Sequence, residues 1–268
     1  MSINKPNLRG GKGGALKGAL AYGVYFATAG LVRLFYRKPE IVGAENLPDG
    51  PCIVVGNHSQ MNGPIVAELY LPGPRAIWCA GEMMHLKEVP AYAYRDFWSK
   101  KPKAVRWFYR LLSYAIAPLS VCVFNNARCI GVYHDMRTAT TLRQTLAALR
   151  EGKRIVIFPE HDVPHNDIVC DFQDRFIDLA RMYRHQNGVA PAFVPMYVAP
   201  ALRRTFLGRP ILWNPDAPAD GERLRVKNAL MDAITDLALA QPAHRVVPYL
   251  NVPKKLYPMS RPDRGGAK

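Results

Sequence analysis

The first residue with clear chemical potential is a histidine that follows an apolar run. Residues 52–56 are apolar and predict a buried strand, and Asn57, His58 and Ser59 follow directly, just before a predicted helix. Polar residues at strand ends often build functional sites. An imidazole has an unperturbed pKa of about 6.5, so a neutral His58 could accept a proton from a hydroxyl near neutral pH.

A second group of ionisable residues follows a later apolar run. Residues 154–158 predict another buried strand, which ends in Pro159 and is followed by Glu160, His161 and Asp162. We expect Glu160 to face the same rim as the histidine after the first strand. Carboxylate and imidazole groups at one rim are the usual components of general acid–base chemistry.

The remaining apolar runs supply the elements that must position these residues. Pro195 interrupts a third apolar strand, which predicts an edge or a strand end that shapes a pocket. Strands that alternate with helices imply an α/β fold with a mostly parallel central sheet flanked by helices. The predicted strands are 40–43, 52–56, 75–80, 154–158, 193–198 and 210–213; the predicted helices are 64–71 and those carrying the stripes Leu142–Leu149, Phe172–Tyr183 and Val226–Leu237, the last with Asp220 as N-cap.

The chain divides by composition into three parts: 1–37, 38–241 and 242–268. The first is a basic start followed by an apolar stretch, which is shorter than the ~20 residues that span a bilayer and predicts an N-terminal amphipathic membrane helix at the interface. The second is the α/β domain, whose aromatic and basic segment 88–113 predicts either a further lipid-facing surface or an ordinary helical core. The third is a basic, proline-containing tail whose end we expect to be disordered.

Composition narrows the class of protein. Lys and Arg number 36 against 21 Asp and Glu, so the surface should attract anions such as lipid headgroups, coenzyme A, acidic carrier protein or nucleic acid. No nucleic-acid recognition motif is present, and nucleic acid is not expected as a partner. The five cysteines form no C-x-x-C pair, which argues against a disulfide framework or a four-thiolate zinc site.

The three motifs in this order resemble the lysophospholipid (1-acylglycerol-3-phosphate) acyltransferase family. The similarity covers residues 41–213 and rests on Asn57-His58, on Phe158-Pro159-Glu160 and on Pro195 with the valine before it. It implies a glycerolipid acyltransferase-like fold and a role in phospholipid biosynthesis. It also implies a reaction without a cofactor, in which His58 deprotonates an acceptor hydroxyl that attacks the thioester of acyl-CoA or acyl-carrier protein.

The resemblance further implies where the protein works and what holds its substrates. The partners would be an anionic membrane surface, a lysophospholipid or glycerolipid acceptor, and acyl-carrier protein where that is the donor. The protein would be peripheral or monotopic on the cytoplasmic face of the cytoplasmic membrane. The implied substrate-binding residues are Asn57, Ser59, Arg128, Arg137, Pro159, Glu160, His161 and Pro195.

The chain departs from the family pattern at two points. The family has an Asp five positions after its histidine, and here that position is Gly63. Asn62, Asp162 or Asp135 could replace this carboxylate as the partner that orients His58. The family's Gly-Thr-Arg after the glutamate is replaced by residues 161–163, so an arginine expected to bind acceptor phosphate is missing.

Two alternative functions remain open from the sequence. One is a catalytically silent lipid-binding or scaffold protein that keeps the fold without the reaction. The other is a metal-dependent hydrolase in which His161, Asp162, His165 and Asp167 bind a metal such as zinc.

Overall fold

The structure, a computed structural model, describes residues 12–99 and 101–261. Short 3-10 turns connect several of its elements. The described α-helices are α1 (Lys12–Phe35), α2 (Asn62–Leu69), α3 (Val89–Ala93), α4 (Arg106–Asn126), α5 (Thr138–Arg150), α6 (Asp178–Asn187) and α7 (Ala219–Leu239). The described strands are β1 (Glu40–Val42), β2 (Cys52–Gly56), β3 (Arg75–Ala80), β4 (Cys129–Val132), β5 (Arg154–Ile157), β6 (Glu160–Pro164), β7 (Cys170–Phe172), β8 (Ala192–Ala199) and β9 (Arg204–Leu207).

The chain folds into two compact units. The first unit comprises Met1–Arg37 and Ala76–Gln144, and the second comprises Lys38–Arg75 and Thr145–Lys268. The three motifs that carry the candidate chemistry all belong to the second unit. The aromatic and basic segment and the long apolar helices belong to the first.

The second unit is built on a sheet with the strand order β1-β9-β8-β2-β5. In this sheet β2 pairs in parallel with both β5 and β8, β1 pairs in parallel with β9, and β8 and β9 pair antiparallel. Every residue of β2 and β8 is buried. Strands covered on both faces favour the β-branched, uninterrupted apolar runs that the sequence has here. The result is a mostly parallel sheet whose centre delivers His58 at the carboxyl end of β2.

Helix α7 and a hairpin also belong to the second unit. The apolar face of α7 is buried through Val226, Leu230 and Ile234. Strands β6 and β7 form a separate antiparallel pair with Glu160 opposite Phe172. The hairpin therefore starts at the motif glutamate and returns beside it.

The first unit contains the parallel pair β3 and β4 together with the long helices α1 and α4. One cluster of buried residues in this unit comprises Met83, Val89, Ala93 and Ala117. The Cys122 thiol of α4 donates to the carbonyl oxygen of Ala21 in α1, with a separation of 3.2 Å.

Two helical segments of the first unit are long and apolar enough, by length and composition, to cross a membrane. They are Gly18–Phe35, with a mean hydropathy of 1.3 and 6% of its residues buried, and Lys103–Asn126, with values of 1.4 and 17%. The N-terminal helix predicted from the sequence is present, and it is longer than the apolar stretch that predicted it. Both segments leave most of their apolar surface outside the protein core.

The predicted α/β class with a mostly parallel sheet is confirmed, and β2 and β3 have the predicted bounds. Three local predictions are wrong. Phe172 ends strand β7 and does not begin the α6 stripe, and the predicted strand 210–213 contributes only an isolated bridge from Ile211 to the β8 strand. Asp220 is not the N-cap of α7, because Pro218 precedes the helix and the Asp220 carboxylate pairs with Arg223 at 3.0 Å.

Candidate active site

His58 lies in a turn at the carboxyl end of β2 that contains two left-handed residues. Ser59 and Gln60 have φ angles of 47° and 55°. A non-glycine residue in this region costs roughly 1–2 kcal/mol, so neighbouring contacts must hold the turn. The turn brings the carbonyl oxygen of Gln60 to Nδ1 of His58. Because a carbonyl only accepts, Nδ1 carries the proton in the neutral ring, and Nε2 keeps the lone pair that a general base needs.

Two aromatic rings flank the half-buried His58 imidazole. The Phe158 ring lies 5.4 Å from it, centroid to centroid, at an interplanar angle of 65°. The Tyr249 ring lies 5.7 Å from it at 79°. Edge-to-face contacts of this kind fix the plane of a ring as well as burying it. The orientation of the imidazole is therefore set by aromatic contacts as well as by the Gln60 carbonyl.

Glu160 holds the backbone of the histidine turn. Its carboxylate is 4% exposed, and it accepts hydrogen bonds from the backbone N–H of His58 at 2.5 Å and of Cys170 at 2.9 Å. Burial raises the pKa of Glu160 to about 7, although both hydrogen bonds lower it. The motif glutamate thus clamps the His58 turn to the β6–β7 hairpin.

Asn57 and Ser59, on either side of His58, are both buried. The side-chain amide of Asn57 donates to the carbonyl of Val198 at 3.2 Å, and its oxygen accepts from the Val198 N–H at 2.7 Å, which extends the pairing of β2 with β8. The Asn62 side chain donates to the carbonyl of Ser59 at 2.8 Å. The Ser59 hydroxyl is buried with no hydrogen-bond partner in the part of the chain that the structure describes.

The two motif prolines are buried parts of the scaffold. The Pro159 carbonyl accepts from the N–H of Gln173 at 2.9 Å. The prediction that Pro195 marks an edge or strand end is wrong, because β8 lies between β2 and β9. The β8–β9 ladder begins only at Met196, and the Pro195 carbonyl accepts a further bond from Gly208 at 2.8 Å. Pro195 therefore lies just past that ladder, where a missing N–H leaves no pair broken.

Gly63 leaves no space for a side chain at the position of the family's aspartate. A Cβ atom built on Gly63 would lie 2.6 Å from Cε1 of Phe158, 2.7 Å from the carbonyl oxygen of His58 and 2.9 Å from that of Asn57. Two of these three atoms belong to the backbone and cannot rotate away. The turn is therefore built around a glycine, and the Gln60 carbonyl occupies the orienting role at Nδ1.

His161 and Asp162 follow Glu160 on β6 but have different surroundings. His161 Nε2 lies 3.1 Å from the Asp171 carboxylate, which also binds Lys227 at 2.6 Å. Burial would raise the pKa of Asp171, but the hydrogen bonds from Lys227 and His161 lower it overall. Asp162 is 84% exposed, and its carboxylate lies 3.9 Å from Nδ1 of His161.

The structure does not support the interpretation of residues 161–167 as a metal site. Among residues 12–99 and 101–261, no group of three or more His, Cys, Asp or Glu side chains could hold a metal ion. His161 instead pairs with Asp171. His165 and Asp167 are exposed at the tip of the β6–β7 hairpin, so the strand pairing spreads the four candidate ligands instead of converging them.

Arg128, Arg137 and Asp135 belong to the first unit. Arg137 binds the carboxylates of Asp135 and Glu88, each at 2.9 Å, and these hydrogen bonds raise its pKa above the usual value for arginine. Its guanidinium also lies 4.1 Å from the centre of the Tyr133 ring. The Asp135 carboxylate is held by Arg137, and Arg128 is exposed. The charge of Arg137 is thus already balanced by two carboxylates.

Several residues around His58 were not predicted as site residues. Gln60 supplies the orienting carbonyl, Tyr249 covers the imidazole, and Leu250 and Tyr257 contact the Gln60 side chain. The left-handed turn at Gln60 has no signature in the sequence, because neither Ser59 nor Gln60 is a residue that favours that conformation. The C-terminal residues have no local signal either, since up to 197 positions separate them from the turn.

A single methyl group at Gly63 should destabilise the protein. We expect Gly63→Ala to lower the free energy of unfolding by roughly 1–3 kcal/mol, because the new Cβ overlaps backbone oxygens that cannot move. The matched control is Gly221→Ala in α7, where a Cβ meets nothing within 4 Å and should be neutral or slightly stabilising. Denaturant unfolding measures both. Equal effects of the two substitutions would contradict the steric argument.

The pH dependence of stability should report the buried Glu160 carboxyl. Its folded-state pKa of about 7 exceeds the unfolded value of 4.5, so between these values the folded state keeps a proton that the unfolded state has lost. The Glu160 contribution to stability therefore falls as pH rises from about 5 to about 8. The unfolding free energy of the wild type minus that of Glu160→Gln should fall by roughly 1–3 kcal/mol across this range.

The control for this measurement is Asp162→Asn, which removes an exposed carboxylate from the same strand. The difference between the wild type and this variant should stay nearly flat over the same pH range. If the difference between the wild type and Glu160→Gln also stays flat over this pH range, the pKa of Glu160 is not raised in the folded protein.

Of the comparisons with known proteins, the one with solved structures finds a match. No protein-family model matches the chain, and a comparison with curated proteins finds no match. Among solved structures, the chain is similar to the crystal structure of the 1-acyl-sn-glycerophosphate (LPA) acyltransferase PlsC from Thermotoga maritima. The identity is 17%, the TM-score is 0.41, and the match covers 84% of this chain and 81% of that chain.

Proposed function

We propose that this protein transfers an acyl group from the thioester of acyl-CoA or acyl-carrier protein to the hydroxyl of a lysophospholipid or related glycerolipid. The observation that carries the proposal is the contact between His58 Nδ1 and the Gln60 carbonyl. That contact keeps the proton on Nδ1, so Nε2 of the neutral ring carries the lone pair that a general base uses. The motif resemblance described above supplies the reaction class.

In the proposed reaction, His58 Nε2 takes the proton of the acceptor hydroxyl as the oxygen attacks the thioester carbonyl carbon. The carbonyl electrons move to its oxygen and form a tetrahedral intermediate. When that intermediate collapses, the carbon–sulfur bond breaks and the imidazolium returns its proton to the leaving thiolate. Acid–base catalysis of this kind contributes roughly 10²–10⁴-fold to the rate.

The residues around the base have distinct supporting roles in this proposal. Glu160 holds the backbone N–H of His58, and Asn57 ties the same turn to β8. The Gln60 carbonyl orients the ring and stabilises the imidazolium through its dipole. A dipole stabilises a cation less than a carboxylate does, so we expect a slower reaction than an Asp–His pair would give.

Removing the base should greatly slow thioester-dependent acyl transfer. We expect His58→Ala to lower kcat by roughly 10²–10⁴-fold, because the imidazole that takes the acceptor's proton in the proposed reaction is lost. The measurement is thiol release from long-chain acyl-CoA or acyl-carrier protein with a panel of lysophospholipids. The matched control is His165→Ala, which removes an exposed imidazole at the tip of the β6–β7 hairpin and should leave the rate unchanged.

Two results would count against the proposed acyl transfer. Transfer that His58→Ala retains in full would remove the histidine from the reaction. Absence of His58-dependent transfer across the whole panel, with lipid binding intact, would favour the silent lipid-binding protein instead.

The first unit supports a location at a membrane surface. Helix α1 exposes Leu20, Phe26, Leu31, Leu34 and Phe35, and the apolar residues of α4 are similarly uncovered. Large apolar side chains that are exposed together along one helix are typical of contacts with lipid or another protein. We propose peripheral or monotopic attachment to the cytoplasmic leaflet of the cytoplasmic membrane.

The charges beside this apolar surface favour lipid as its partner. Arg110 lies 5.3 Å from the centre of the Tyr94 ring, and Lys101 lies 5.8 Å from that of Tyr109. Aromatic rings with cations beside them suit the headgroup layer, where each finds a favourable environment. The net charge of +15 adds attraction to anionic lipid.

Polar substitutions on α4 should weaken membrane binding without unfolding the protein. Trp107, Phe108 and Leu111 are 63%, 50% and 61% exposed, so replacing all three with serine removes little packing. Each large apolar side chain that enters lipid contributes about 1.5–3 kcal/mol, so the triple variant should lose at least about tenfold in partitioning to anionic vesicles.

Co-sedimentation with vesicles of phosphatidylglycerol and phosphatidylethanolamine measures this partitioning. The matched control replaces three exposed apolar residues of the second unit, Val189, Leu212 and Leu224, with serine. Equal losses for the two triple variants would show that general hydrophobicity, and not the α4 surface, drives the binding.

A further inference from the structure

The C-terminal strap, defined as residues 244–260, is closed into a loop at its base. Strand-like pairing joins Arg245 to Met259, and the Val246 N–H donates to the Pro258 carbonyl at 2.9 Å. The N–H of Ser260 donates to the carbonyl of His244 at 2.8 Å. These bonds bring the two ends of the strap together and leave residues 247–257 as the projecting loop.

A buried histidine fastens the base of the strap to the central sheet. His244 is 5% exposed, and its Nε2 lies 2.7 Å from the hydroxyl of Tyr197 in β8, the strand beside β2. Its Nδ1 lies 2.8 Å from the Pro242 carbonyl and 3.1 Å from the Ser260 hydroxyl. The strap therefore starts from a fixed point next to the strand that carries His58.

The projecting loop reaches the His58 turn and engages both polar ends of one side chain. The Gln60 amide nitrogen donates to the carbonyl oxygen of Leu250 at 3.3 Å, and the Tyr257 hydroxyl donates to the Gln60 amide oxygen at 3.2 Å. Tyr249, the residue before Leu250, places its ring edge-on to the His58 imidazole. The strap thus meets the turn at the residue whose carbonyl faces Nδ1.

We propose that the C-terminal strap positions the His58 imidazole by holding Gln60, with Gln60 and Tyr257 as positioning residues. A residue at φ 55° has no intrinsic preference to stay there, and the two hydrogen bonds to its side chain hold it. They thereby hold the Gln60 carbonyl against His58 Nδ1. The role of the strap in catalysis rests on the acyl transfer proposed above. Its effect on the orientation and tautomer of His58 does not depend on that proposal.

The direct test reads the tautomer of His58 by nitrogen NMR of histidine-labelled protein at about pH 9, where unperturbed imidazoles are neutral. In the wild type the proton should sit on Nδ1, and the His58→Ala spectrum assigns the signals. Tyr257→Phe removes one hydroxyl and keeps the ring, so the fold should survive. We expect it to shift population toward the Nε2–H form, and Gln60→Ala to shift it further. Tyr183→Phe on α6 is the matched control and should change nothing.

A double-mutant cycle tests whether Tyr257 acts through Gln60. With wild-type Gln60, Tyr257→Phe should lower kcat by roughly 2- to 10-fold with little change in KM, which is the effect of losing one neutral hydrogen bond from the orienting set. In the Gln60→Ala background, the same substitution should have almost no further effect on kcat or on the tautomer.

The outcomes separate this proposal from the proposed function. A His58 tautomer that is unchanged in both Tyr257→Phe and Gln60→Ala overturns the role of the strap, even if His58-dependent acyl transfer is found. Additive effects in the cycle also overturn it, because Tyr257 would then act by another route. A coupled shift of the tautomer supports the proposal even if no acyl transfer is detected.

Discussion

The hydrogen bonds accepted by the Glu160 carboxylate are the interaction on which the geometry of the site depends. They join the turn after β2 to the hairpin β6–β7, so the backbone of His58 and that of Cys170 are fixed by one buried group. Burial brings the pKa of that group to about 7, so its ionisation costs free energy near neutral pH. The two N–H groups bond different oxygens of the carboxyl, so in the protonated form one of them must bond the hydroxyl oxygen, which is the weaker acceptor.

A carbonyl at Nδ1 does part of what a carboxylate would do there. It fixes the tautomer and the ring plane, but it supplies a dipole where a carboxylate supplies a charge. The lack of space at Gly63 explains why no side chain at that position orients His58, because its Cβ would press against the carbonyl oxygens of Asn57 and His58. Orientation of the base is therefore kept, and electrostatic stabilisation of its cation is reduced.

The sequence predicted the scaffold better than the contacts within the site. The bounds of β2 followed from its buried β-branched run, and the rule that polar groups collect at strand ends correctly brought Glu160 to His58. The sequence did not predict that the Glu160 carboxylate accepts from backbone N–H groups, because the type of a side chain does not reveal which donor lies nearest to it. Pro195 was misassigned for a similar reason: whether its missing N–H matters depends on where the β8–β9 ladder begins, which is a tertiary property.

The group that orients His58 is held by residues from a distant part of the chain. An aspartate a few residues after the histidine would belong to the same turn, so its position would follow from local structure. The Gln60 carbonyl depends instead on Leu250 and Tyr257, which lie 190 and 197 positions away. Between its paired ends the strap adds few backbone hydrogen bonds, so its local opening should require less free energy than global unfolding. The contribution of the Gln60 carbonyl to the orientation of His58 is therefore as stable as the strap, and not as stable as the sheet from which His58 emerges.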